Sequence, residues 1–110
     1  MAKFVKGDIV VVPFPFTDLT QAKRRPAIII ADLAGDDYIL CQITSKDIRD
    51  KYSIPIEDSD FDDGSLKQNS NVRPNRIFTA DKNIILYRIG NLKPEKTDQI
   101  ILKIYEILKN

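Results

Sequence analysis

Gly7-Asp8-Ile9-Val10-Val11-Val12-Pro13-Phe14-Pro15-Phe16 and, nine residues on, Arg25-Pro26-Ala27-Ile28-Ile29-Ile30-Ala31 are the two stretches whose reading decides the fold. Both are dense in β-branched residues, which favour extended backbone, so Ile9 to Phe16 reads as a first strand and Ala27 to Asp32 as a second. Pro13 and Pro15 cannot donate to a ladder and push the far end of the first strand to an edge or a bend. Between the strands runs a polar, basic connection, Thr17 to Arg24, closing with Lys23, Arg24 and Arg25 in a row. Three adjacent cations repel one another unless water or an anion compensates them. A hairpin that carries such a knot to one edge is a candidate phosphate-handling device.

Working outward, Gly35-Asp36-Asp37 is a turn signal, and Tyr38 to Thr44 returns as a third strand antiparallel to the second. Short strands are predicted at Tyr52 to Ile56, Ser70 to Phe78 and Lys82 to Ile89, the last closed by Gly90. The period then changes. Pro94 suits the first turn of a helix. Ile100, Ile101, Leu102, Ile104, Tyr105, Ile107 and Leu108 follow, positions 97, 101, 104 and 108 recur at three- and four-residue steps, and Lys103, Glu106 and Lys109 lie on the opposite side. Five or six short strands with one amphipathic helix predict a mainly β fold, a small bent barrel capped by a C-terminal α-helix.

The 110 residues leave room for one domain, spanning 1–110, with a modest core. With 43% hydrophobic and 30% charged residues the composition is that of an ordinary folded chain, not a disordered one. The longest apolar run, Ile9 to Phe16, is far short of the roughly 20 residues that span a bilayer, and no membrane association is expected. The first residues lack a signal-peptide pattern. Cys41 is the lone cysteine, so no internal disulfide can form and a cytoplasmic setting is expected. It lies within Tyr38 to Ile43 and reads as a small buried hydrophobe.

Seventeen basic and sixteen acidic residues give a net charge of +1, so any nucleic-acid binding must come from a local patch. Charge is indeed segregated. Arg73 and Arg76 form a second basic pair, and between the two lies Glu57-Asp58-Ser59-Asp60-Phe61-Asp62-Asp63-Gly64. Asp58, Asp60 and Asp62 alternate as in a calcium loop, but Asp63 stands where such a loop needs glycine and Asn69 where it needs a bidentate glutamate. A solvated acidic loop is the expectation, and no metal or other cofactor is predicted.

Five ordered blocks carry a resemblance. Gly7-Asp8-Ile9-Val10, Arg25-Pro26-Ala27, Ile43-Thr44-Ser45, Ser70 with Val72-Arg73-Pro74, and Thr79-Ala80-Asp81-Lys82 before Ile89-Gly90-Asn91-Leu92 together resemble the MazF/PemK family of toxin endoribonucleases, over nearly the whole chain. The resemblance implies an SH3-like barrel, a homodimer, cleavage of single-stranded RNA, and a cognate antitoxin whose acidic segment covers the basic groove. It implies Arg25, Thr44 and Arg73 as catalytic residues. Arg25 and Arg73 would stabilise phosphorane charge, and the Thr44 hydroxyl would bond the phosphate or orient the ribose. Thr17, Lys23, Arg24, Ser45, Asn75 and Arg76 are the candidate RNA-binding residues.

Two departures matter for the chemistry. Some members place an aspartate two residues after the second arginine, where this chain has Asn75, an amide that accepts no proton at neutral pH. The chain also has no histidine, which excludes imidazole as acid or base. Asp8, Asp18 and Asp81 are the ionisable groups left near the blocks, and Asp8 reads as a support of the fold. The alternative function is a relative of this fold that does not cut, acting instead by binding RNA or a protein target such as gyrase.

Overall fold

The computed structural model of the chain describes residues 3–14 and 23–110. It contains β1 (Asp8–Phe14), β2 (Lys23–Asp32), β3 (Asp37–Thr44), β4 (Ile54–Ile56), β5 (Phe61–Asp63), β6 (Ser70–Asp81), β7 (Tyr87–Leu92) and the helix α1 (Pro94–Lys109). The strands form one antiparallel sheet in the order β4-β6-β3-β2-β1-β7-β5, curled into a half-barrel. Mainly β with a C-terminal helix is therefore the observed class.

Alternation along the strands loads both faces of this sheet. Ile9, Ile28, Cys41, Ile43, Val72 and Leu92 join Ile100 and Ile104 of α1 in one core, to which all seven strands contribute. The intervening residues Val10, Val12, Ala27, Ile29, Tyr38 and Leu40 build a second core with Ala80 and Ile85. The triple isoleucine of β2 is thus divided between the two, which is why an uninterrupted apolar run was needed there.

Four predicted elements differ in the structure. First, β2 starts at Lys23 and not at Ala27, so the basic knot is strand and its side chains alternate between faces. Second, β7 runs straight through Gly90, and the residues ahead of it form a 3₁₀ turn, Lys82–Ile84, where a strand was predicted. The Asp81 carboxylate accepts the Asn83 amide at 2.8 Å and starts that turn, so Asp81 is a capping residue.

Third, the acidic segment is structured: Asp58–Asp60 is a 3₁₀ turn and Phe61–Asp63 is the edge strand β5. Asp60 pairs with Lys96 at 3.6 Å, and Asp63 takes two 3.0 Å bonds from Arg88, so these carboxylates serve the fold. Fourth, the buried side of α1 is Thr97, Ile100 and Ile104, while Leu108 of the predicted apolar stripe is 70% exposed.

Asp8 supports the fold, as its position suggested. Its carboxylate is 2% exposed and accepts Val5 N at 2.9 Å, Arg88 Nε at 3.0 Å and Asn91 Nδ2 at 2.8 Å. Arg88 thereby bridges Asp8 and Asp63, tying β1, β7 and β5 together. Those bonds, Asp63 first and Asp8 second, hold the guanidinium above its ordinary pKa.

Candidate functional site

The face that carries the second core changes character at one end of the sheet. Val10 and Val12 on β1 are followed on that face by Phe14. Reading β2 backwards, Ile29 and Ala27 give way to Arg25 and Lys23, and on β3 Leu40 gives way to Gln42 and Thr44. Register sets these side by side, with Val12 opposite Arg25, Phe14 opposite Lys23 and Ala27 opposite Gln42. The strands thus run off their apolar core into a cleft of about 370 Å³ whose lining includes Lys23, Arg25, Gln42, Thr44, Arg73 and Arg76.

A bulge supplies the two later arginines. Ile43 pairs with Val72 and Cys41 with Ile77, so β3 spends one residue, Gln42, where β6 spends four, 73–76. The surplus arches out of the ladder and presents Arg73 and Arg76 to the cleft. Pro74, fully buried, anchors the arch. Cys41 holds it from below: its thiol donates to the Arg73 carbonyl at 2.9 Å. The residue that reads as a plain buried hydrophobe therefore also fixes a site arginine.

Burial pushes the Cys41 thiol up from 9.0 to about 12. Between those values the unfolded thiol releases its proton and the folded one keeps it, so this group's contribution to stability falls as pH rises. The thiol should resist a disulfide reagent at pH 8 in native buffer and react fully in denaturant. Rapid native labelling would contradict this burial.

Arg73 is oriented by a residue absent from the sequence-based set. Asp50 lies 3.8 Å from its guanidinium and also accepts the Tyr52 and Ser53 amides at 2.9 and 2.8 Å. Those amides, Ser53 foremost and then Tyr52, hold the Asp50 carboxyl below its ordinary pKa, with a smaller contribution from Arg73. Asp50 is thus an anion at neutral pH and a weak base. Among the described residues, neither the buried Arg73 Nε nor the buried Gln42 Oε1 has a hydrogen-bond partner. An unsatisfied donor and acceptor at one cleft are costly unless a ligand completes them.

Arg25 has no carboxylate partner among the described residues. Thr44 is 6% exposed; its Oγ1 accepts the Lys46 amide at 3.1 Å, leaving its hydroxyl proton for a ligand. Among the described residues, five cations line the cleft, Lys23, Arg25, Lys46, Arg73 and Arg76, and no carboxylate does.

Of the sequence-based candidates, then, Lys23, Arg25, Thr44, Arg73 and Arg76 are brought together. Arg24 and Ser45 line a second cleft, Asn75 is exposed on the arch and lines neither, and Thr17 and Asp18 lie outside the described residues. Sequence reasoning missed Gln42, Lys46 and Asp50. Gln42 carried a signal: it shares a strand face with Thr44 and is polar where its neighbours are apolar. Nothing local marks Asp50.

The residues 5–108 match a family model described as PemK-like, MazF-like toxin of type II toxin-antitoxin system. No curated protein sequence matches the chain. Among solved structures, an endoribonuclease in complex with its cognate antitoxin from Mycobacterial species superposes with a TM-score of 0.77 at 14% identity, covering 97% of this chain and 96% of that one. MazF from Deinococcus radiodurans gives 0.75 at 16% identity over 96% of each chain. The Mycobacterium tuberculosis toxin MazF-mt6 gives 0.70 at 19% identity, covering 93% of this chain and 96% of that one.

Proposed function

The chain belongs to the PemK-like, MazF-like toxin family of type II toxin-antitoxin systems, and from that premise we propose that its cationic cleft cuts single-stranded RNA by attack of a ribose 2′-hydroxyl on the adjacent phosphate. The observation that carries the reading is the convergence of Arg25 and Arg73 with the Thr44 hydroxyl and Gln42 Oε1 in one cleft that no carboxylate lines among the described residues. Such a lining attracts a phosphodiester. It also repels a divalent cation, so the chemistry is assigned to the side chains.

In the proposed step the 2′-oxygen forms a bond to phosphorus and the P–O5′ bond breaks. The products are a 2′,3′-cyclic phosphate and a 5′-hydroxyl end. Gln42 Oε1 accepts the 2′-hydroxyl hydrogen bond and aims the nucleophile. Arg25 and Arg73 take the charge that develops on the non-bridging oxygens, where preorganised donors contribute most. Thr44 donates to the same phosphate. Lys23 and Lys46 line the cleft beside these groups and are the candidate acids for the departing 5′-oxygen.

Among the described residues no carboxylate lines the cleft, and Asp50 behind Arg73 is held as a weakly basic anion. The 2′ proton is accordingly assigned to solvent hydroxide. This gives a specific expectation: kcat/KM should climb from pH 6 to 8 by up to about tenfold per unit. A plateau beginning below pH 7 would reveal a side-chain base and overturn this account of the proton.

The function itself is tested by incubating single-stranded RNA with the purified protein in EDTA. Cleavage is expected, and it should vanish when the ribose at the cut position is 2′-deoxy. Cutting of the deoxy substrate would refute 2′-hydroxyl attack. The reading also includes a homodimer acting in the cytoplasm and a cognate antitoxin whose acidic segment neutralises the cleft. A second reading, action on a protein target, draws on Leu102, Tyr105 and Leu108, all exposed along α1. Inhibition of gyrase supercoiling without RNA cleavage would select it.

A further inference from the structure

A second cleft of about 470 Å³ lies against the other face of the sheet, and Arg25 lines both clefts. The reason they adjoin is local. Pro26 has no amide hydrogen and sits where the β2–β3 ladder stops, since pairing begins at Ala27. Residues 23–26 of β2 therefore pair with β1 alone among the described residues, and β3 ends at Thr44. Across this open end, Thr44 lines the first cleft and its neighbour Ser45 the second, just as Lys23 lines the first and Arg24 the second.

The second lining has its own chemistry. Among the described residues Arg24, Arg25 and Lys67 are its charged members, and no carboxylate lines it. Tyr87 offers an aromatic ring that is 49% exposed, and Gln68 supplies a carboxamide with both a donor and an acceptor. Cations that follow a phosphate chain, a ring that stacks on a base and an amide that reads a base edge are the parts of a nucleotide subsite. Charge complementarity and continuity through Arg25 favour RNA as the occupant over an acidic peptide.

We propose that this second cleft is a nucleotide subsite: it holds a base next to the scissile phosphate by stacking on Tyr87, with Arg24 and Lys67 on the adjoining phosphates. The inference rests on the RNA-cleaving reading of the first cleft. Substrate that crosses the open end of the ladder is thereby gripped on both sides of Arg25.

The test compares wild type, Tyr87→Ala, Tyr87→Phe and Lys67→Ala, using a single-stranded 2′-O-methyl RNA library as an uncleavable binding probe and cellular RNA as the cleavable one. Tyr87→Ala should weaken binding about tenfold, the loss of one stacked base. Tyr87→Phe should bind within about twofold of wild type. Lys67→Ala should weaken binding and reduce the salt slope by about 0.7. Cut sites mapped in cellular RNA should lose base preference at one position in Tyr87→Ala.

Wild-type affinity and wild-type cut sites for Tyr87→Ala would overturn the subsite while leaving the cleavage reading intact. If the wild type neither binds nor cuts RNA, it is the cleavage reading that fails. Unchanged RNA binding with loss of binding to the cognate antitoxin would assign the cleft to protein recognition and overturn the proposal.

Discussion

Arg25→Ala should lower the rate of RNA cleavage by about 100- to 1,000-fold, the loss seen when one preorganised donor to a developing oxyanion is removed. The effect should fall on kcat more than on KM. Four other cations still line the cleft and attract RNA, whereas the charge on the phosphorane exists only in the transition state. Arg25→Lys should recover part of the loss, since it restores the charge without the two-pronged donor geometry. Folding should be unaffected, because no ion pair in the described structure depends on Arg25. Single-turnover kinetics on one defined RNA would decide, and an Arg25→Ala rate within threefold of wild type would remove this residue from the reaction.

Gly64→Ala should be the most damaging of the glycine substitutions for the fold, costing about 3 kcal/mol, or roughly 15 °C in Tm. A Cβ at Gly64 would press on the backbone of Ile89 and Gly90, and its φ of +74° disfavours any L side chain. The partner position is equally tight: a Cβ on Gly90 would meet Asp63 O at 2.5 Å. These glycines let β5 lie against β7, which seats Phe61 in the core and brings Asp63 to Arg88. Gly35 is the control. Its φ is +87° but nothing lies within 4 Å of its Cβ direction, so Gly35→Ala should cost only about 1 kcal/mol. Equal losses at the two positions in urea melts would show that backbone conformation, not the close approach, limits both.

The strands that could be read from sequence were those whose side chains report their own surroundings. Val10 to Val12 and Ile28 to Ile30 are apolar on both sides because both sheet faces are buried. The strands missed or misplaced were those set by partners far along the chain. Asp62 and Asp63 look like loop, yet β5 forms because β7 is there to pair with it. Lys23 to Arg25 look like loop too, yet β1 extends them as strand. Leu108 fits the helical period, but the sheet surface ends before it.

The candidate site divides in the same way. Arg25, Thr44 and Arg73 stood out because each sits at a strand end or in a basic pair within an ordered motif. Asp50 did not, for its role depends on Arg73 arriving from 23 residues later. Lys23 and Arg24 are neighbours in sequence but reach different linings, which strand alternation imposes and composition cannot reveal.

By itself, the sequence determined a two-faced β-sheet, a terminal helix, a basic hairpin and the absence of imidazole, because residue type and period settle those matters locally. Tertiary structure alone decided that the hairpin's cations would be shared between two clefts and that Cys41 would brace Arg73. It also decided that the acidic segment would become an edge strand. Each of those outcomes depends on register between distant strands, where a shift of one residue sends every side chain to the opposite face.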